Sequence, residues 1–138
     1  MPRVKLVYRV EKAETEVHNT GPHPADRRPG WPGLGEVCEP SVDLYERTDE
    51  FVVEVELPGL TERDVRVLLY PNRVEVKGVK KARLPREAFS FLRMEREFGP
   101  FQREVVIPGE VDPDRALAFM EKGVLTIILK KPAGKRAR

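Results

Sequence analysis

Short runs that alternate apolar and polar residues recur from residue 41 to residue 131, and they stop at proline, glycine or asparagine. Such a run buries one face of a strand; a helix would repeat its apolar face every three to four residues. The clearest case is Phe101-Gln102-Arg103-Glu104-Val105-Val106-Ile107, closed by Pro108-Gly109. Phe101, Arg103, Val105 and Ile107 share a face, which puts an arginine among three apolar residues, where it requires a carboxylate or carbonyl partner. Phe51, Val53, Val55 and Leu57 share another face. Val65, Val67 and Leu69 alternate inward, Pro71-Asn72 turns, and Val74 and Val76 point back. Thr61-Glu62-Arg63-Asp64 reads as one capped helical turn. Val111-Asp112-Pro113-Asp114 repeats that chemistry, and Gly123 divides the last two strands. About seven short strands at roughly ten-residue spacing predict an all-β, antiparallel immunoglobulin-like β-sandwich. No βαβ alternation points to a parallel sheet.

Three regions follow. Residues 1–40 are expected to be a flexible N-terminal arm: Val4 to Val10 has the pattern of a short strand, and residues 21–40 hold five prolines and four glycines. Trp31 is the large apolar anchor of that stretch. Residues 41–131 form the sandwich. Residues 132–138 are a disordered basic tail. Five basic residues and no acid fall in residues 130–138 (Lys130, Lys131, Lys135, Arg136 and Arg138). Without an aromatic residue they give weak, salt-sensitive binding to nucleic acid, and a solvated end that keeps an oligomer soluble is the favoured reading.

The chain is poorly equipped for catalysis. Its one cysteine, Cys38, and its two histidines, His18 and His23, fall in or beside the Pro/Gly-rich stretch, where no scaffold fixes them. Cys38 adjoins Glu39 and no nearby cation, so an inert thiol is expected. The histidine spacing suits no metal site, and no phosphate-binding glycine motif is present. We therefore expect no enzyme, no metal and no cofactor. A single cysteine allows no intrachain disulfide and fits a reducing compartment. No apolar run is long enough for a membrane span, and Met1 to Val10 lacks a signal peptide's apolar core, so a cytoplasmic protein is expected. Nucleic-acid binding is disfavoured because outward positions mix both signs (Glu54, Glu56, Arg66, Glu75, Lys77) without a stacking platform.

The segment Ala118-x-x-x-Lys122-Gly123-Val124-Leu125 resembles the A-x-x-x-N-G-V-L signature of the small heat-shock proteins, the α-crystallin or Hsp20 family. Further landmarks stand in family order: Pro40-x-x-Asp43-Leu44-Tyr45-Glu46, then Phe51 to Gly59 ending Leu57-Pro58-Gly59, then Glu95-Arg96-x-Phe98-Gly99-x-Phe101-x-Arg103. The resemblance implies an α-crystallin domain acting as an ATP-independent holdase, which binds partly unfolded proteins and suppresses their aggregation. It implies that the long segment from Lys80 to Arg93 exchanges a strand, Phe89-Ser90-Phe91 with Leu92, with a neighbouring subunit in a homodimer or small oligomer. The alternative is a local hairpin arm. It also assigns Arg103 to the subunit or dimer interface.

Where family members carry polar outward residues, this chain has Leu68 and Tyr70 on one strand and Leu117 and Phe119 on another. Outward apolar residues mark a client- or partner-binding surface, to which Trp31 is added, or an edge covered by the arm or a second subunit. The family's C-terminal I-x-I motif is missing, which favours a dimer or small assembly. Val4-x-Leu6 has comparable apolar spacing and is a candidate for the same groove. Lys122 stands where the motif has Asn, a residue that accepts left-handed backbone more readily. The competing function is a sandwich-domain co-chaperone or adaptor for one defined protein partner.

Overall fold

The structure is a computed structural model that describes residues 6–8, of these the backbone alone, 10–12 and 39–133. Val4, His18, His23, Trp31, Cys38, Lys135, Arg136 and Arg138 lie outside the described residues.

Two strands precede the Pro/Gly-rich stretch, β1 (Leu6–Tyr8) and β2 (Glu11–Lys12). Seven follow it: β3 (Val42–Glu46), β4 (Glu50–Glu56), β5 (Val65–Leu69), β6 (Arg73–Lys80), β7 (Gly99–Val106), β8 (Ala116–Glu121) and β9 (Val124–Lys130). One sheet has the order β1-β8-β9-β4-β3 and the other the order β2-β5-β6-β7. All pairings are antiparallel except β2 with β5, which is parallel.

The core lies between the sheets and follows the alternation of the sequence. Phe51, Val53, Val55, Leu125, Ile127 and Leu129 meet Val65, Val67, Leu69, Val74, Val76, Phe101 and Val105, with Leu57 and Ile107 at strand ends. Burial of these aliphatic and aromatic side chains is the principal stabilising contribution. Ala118 is fully buried on β8, so Leu117 and Phe119, its chain neighbours, stand on the other face.

Short turns set the register. Thr61 and Asp64 close a capping box around the 3-10 turn Glu62–Asp64, with the Thr61 amide donating to Asp64 Oδ2 at 3.0 Å and the Thr61 hydroxyl donating at 3.1 Å. That turn packs against β6 where Gly78 lies; a Cβ at Gly78 would come within 1.8 Å of the Asp64 carbonyl oxygen. A second 3-10 turn, Pro113–Arg115, is capped by Asp112, whose side chain accepts from the Asp114 amide at 2.9 Å. Between β8 and β9, Lys122 has φ 52° and Gly123 φ 78°. The turn needs two left-handed residues, and one of them is a lysine.

Between β6 and β7 the segment 81–98 has no helix or strand of its own. It positions the exposed side chains discussed next.

Candidate interaction surfaces

The two sheets each have two lateral edges, and the edges differ in how they are closed. On one rim, β1 pairs with β8 (Leu6↔Met120, Val7↔Phe119, Tyr8↔Ala118) and β2 pairs with β5 (Glu11↔Leu68, Lys12↔Leu69). β1 and β2 thus belong to different sheets and together strap this rim. Glu11 accepts from Arg66 of β5 at 2.8 Å, and Lys12 donates to Asp114 just before β8. The Glu11 carboxylate holds the Arg66 guanidinium above its ordinary pKa. On the opposite rim, β3 and β7 end their sheets with one side of each backbone unpaired among the described residues.

The outer faces carry more apolar side chain than alternation alone places there. On the five-stranded sheet, register aligns Tyr45, Val52, Ile128 and Leu117 in one row across β3, β4, β9 and β8. Val52 is 2% exposed in the middle of that row, whereas Tyr45 and Leu117 at its ends are 38% and 41% exposed. Arg47 lies over the Tyr45 ring at 5.7 Å, and the Tyr45 hydroxyl donates to Glu54 Oε1 at 3.3 Å. Phe119, in the neighbouring row, is half-buried. Val52 and Ile128 were not singled out from the sequence. Their signal is the broken alternation of Phe51-Val52-Val53 and Ile127-Ile128-Leu129, where an apolar residue falls out of phase.

On the four-stranded sheet, Leu68 and Tyr70 face away from the core as the strand register requires, yet both are buried. Their outward position does not make them accessible. β2 lies alongside β5 with Glu11 opposite Leu68, and the Arg73 guanidinium stacks on the Tyr70 ring at 3.9 Å. Burial, with the Glu75 carboxylate adding to it, pushes the Tyr70 phenol up. Glu75 is itself buried, and it accepts from Gln102 Nε2 at 3.0 Å. Arg73 Nε lies 3.2 Å from Glu104.

Arg103 shares the inner face of β7 with Phe101 and Val105 and reaches a carboxylate, Glu39 Oε2, at 3.7 Å. Its side chain is 39% exposed, so it stands at the mouth of the sandwich rather than inside it. Glu39 lies three residues before the start of β3, and the contact ties the open rim of one sheet to that of the other.

Lys130 and Lys131 do not belong to a free basic tail. Lys130 donates to Glu50 at 3.0 Å and lies 3.4 Å from Asp49, while Lys131 reaches Glu46 at 2.8 Å. The Glu50 carboxylate holds the Lys130 ammonium above the ordinary lysine value.

In the segment 81–98, Phe89 and Phe91 meet edge-to-face with ring centroids 5.2 Å apart, and both are exposed. Leu92 is 100% exposed. Ser90 lies between them, also exposed. Exposed apolar side chains and an unpaired sheet edge are each features that can capture another chain. Among the described residues no cluster of three or more His, Cys, Asp or Glu is placed to hold a metal ion, and no helix is long and apolar enough to cross a membrane.

Two sheets, one rim strapped by β1 and β2 and one rim ending on β3 and β7, make up a β-sandwich of the α-crystallin type. The profile of the Hsp20/alpha crystallin family matches residues 43–138. Spore protein SP21 of Stigmatella aurantiaca is 35% identical over 92 residues, 67% of this chain and 54% of that protein. The 17.0 kDa class II heat shock protein of Zea mays is 37% identical over 89 residues, 64% of this chain and 58% of its own length. The chain thus spans little more than half the length of these relatives. Among solved structures, heat shock protein 16.0 from Schizosaccharomyces pombe superposes with a TM-score of 0.66 at 32% identity, covering 73% of this chain and 94% of that one. The chain belongs to the Hsp20/α-crystallin family of small heat-shock proteins. The family supports a chaperone role, and its members are chaperones rather than enzymes.

Proposed function

We propose that this protein is an ATP-independent holdase acting in the cytoplasm, where its single cysteine stays reduced. It binds partly unfolded chains and lowers the concentration of free aggregation-prone species by mass action. The observation that carries this reading is the apolar row Tyr45–Val52–Ile128–Leu117 on an outer sheet face of a family member. Its end at Leu117, with Phe119 beside it, is the proposed client surface. Leu68 and Tyr70 become part of that surface when the strap leaves β5, and Trp31 in the arm of residues 1–40 adds an aromatic anchor.

The subunits pair by exchange of a second arm, the segment between β6 and β7: Phe89, Ser90, Phe91 and Leu92 of one copy add to the free edge of β3 in another. Two features support this. The arm has no partner strand within its own chain among the described residues, and Leu44 and Tyr45 on the receiving strand are partly exposed. Arg103, on the same rim, stabilises the pair. Residues 41–131 form the associating domain, and residues 132–138 are a solubilising tail.

Light scattering from a heat-labile client tests the proposal, with this protein at near-equal molar ratio and no nucleotide. Suppressed scattering is the expected result, and Leu117→Asp is expected to weaken it without altering the fold. Unaltered scattering with several clients would overturn the holdase and favour an adaptor for one defined partner.

A further inference from the structure

The open rim is divided by charge. Residues 39–56, which include β3 and β4, hold seven acids (Glu39, Asp43, Glu46, Asp49, Glu50, Glu54 and Glu56) against one base, Arg47. At the far end of the β3–β4 hairpin, Glu46, Asp49 and Glu50 are neutralised by Lys130 and Lys131. At the near end, among the described residues, no cation does the same for the acids that face outward. Asp43 and Glu54 are direct cross-strand partners, a like-charge pairing that destabilises a sheet unless a counter-charge arrives. Glu56 lies beside them, with its amide bonded to the Ser41 carbonyl. Together these side chains line a shallow open cleft of about 100 Å³.

The arm has the opposite balance. Residues 80–93 hold five bases, Lys80, Lys81, Arg83, Arg86 and Arg93, against one acid, Glu87. Arg86 and Arg93 flank Phe89-Ser90-Phe91, both are exposed, and neither forms an ion pair among the described residues. They stand four and three residues from Ser90, about 13 and 10 Å along an extended chain. An arm centred on β3 therefore carries an arginine to the Ser41 end of that strand whichever direction it runs.

We infer that the free edge of β3 is a docking surface coded by charge for a second copy of this chain: the arm's flanking arginines, Arg86 and Arg93, supply the cation that Asp43, Glu54 and Glu56 lack. The inference rests on the arm-exchange reading and adds its selectivity and its control. Apolar contacts of Phe89 and Phe91 supply affinity that any similar arm could match, whereas complementary charge rejects wrong partners and speeds encounter. Exposed pairs of this kind are screened by salt, so assembly responds to ionic strength.

Four full-length variants test it: an edge reversal (Asp43→Lys with Glu56→Lys), an arm reversal (Arg86→Glu with Arg93→Glu), the two combined in one chain, and an arm disruption (Phe89→Asp with Phe91→Asp). Self-association is measured by analytical ultracentrifugation at about 0.05 and about 0.5 M salt, and mixed species by native mass spectrometry. Each reversal alone is expected to weaken self-association about ten-fold or more. The combined variant is expected to recover it. Mixing the edge-reversed with the arm-reversed protein is expected to yield mixed dimers in excess of either homodimer, because each arm then meets an edge of opposite sign. Reversals that associate like the parent, or a mixture that shows no preference, would overturn the inference. Neutral variants, Asp43→Asn with Glu56→Gln, serve if a reversal fails to fold; they are expected to flatten the salt dependence, and an unchanged salt dependence counts against the charge code. If the arm disruption leaves the parent's association intact, the exchange reading itself fails. If it dissociates the protein while the reversals do not, only the charge code fails.

Discussion

Single residues decide how closely the two sheets and their turns approach. Gly78 sits on β6 opposite both Val65 and Phe101, and the Asp64 carbonyl occupies the space of its missing Cβ. Backbone cannot yield as a flexible side chain can. Gly78→Ala should therefore cost about 3 kcal/mol, read as a lower midpoint in chemical denaturation, and an unchanged midpoint would refute the close approach. Asp64 carries a second prediction. The Thr61 amide bond holds its carboxyl below the usual value of 3.8, against a partial desolvation effect, with help from the Thr61 hydroxyl and the nearby Lys81 and Arg83. A depressed folded-state pKa contributes stability above pH 3.8 that is lost as pH falls through the lowered value. Asp64→Asn should reduce stability at neutral pH and converge with the parent in strong acid; parallel curves down to low pH would count against it. Arg103→Gly leaves Glu39 without its cation at the open rim and is expected to lower the melting midpoint and weaken self-association. An unchanged dimer with unchanged melting would remove Arg103 from the interface.

At the scale of elements, the segments that were legible in the sequence are those whose signal is local. The faces of β4, β5, β6 and β7 followed from alternation, and the turns at Thr61–Asp64 and Val111–Asp114 from their capping residues. Arg103 announced its need for a carboxylate by its company, although nothing in the sequence pointed to Glu39. The pairings of β1 and β2 were not legible. A three-residue strand in Val4 to Val10 can be guessed, but its choice of β8, and the parallel step onto β5, depend on partners more than fifty residues away. The burial of Leu68 and Tyr70 was hidden for the same reason: outward direction is a local property and cover is not. The strap has three residue pairs on one side, two on the other and two surface ion pairs, which contribute little. It should open well before the sandwich does. Deleting residues 1–12 is therefore expected to speed amide hydrogen exchange in β5 and β8 while β4 and β9 stay protected. Equal protection in both forms would mean that the strap covers neither edge.

The whole molecule sets its exposed apolar side chains around a well-packed core and leaves the surfaces proposed for association short or unpaired. The core of β4, β6, β7 and β9 holds the sheets, the arm from β6 to β7 carries exposed aromatics, and the apolar row crosses the outer face. What the sequence shows least is this arrangement of rims, since a rim exists only once both sheets are assembled. One consequence concerns valence. Under the proposed exchange, a unit whose own strap shuts one rim has a single site for joining, so pairing ends growth at a dimer. A unit with the strap lifted has two sites, and two-site units add end to end without limit. On that reading β1 and β2 are a chain terminator in the sense of a polymerisation, setting how far assembly runs.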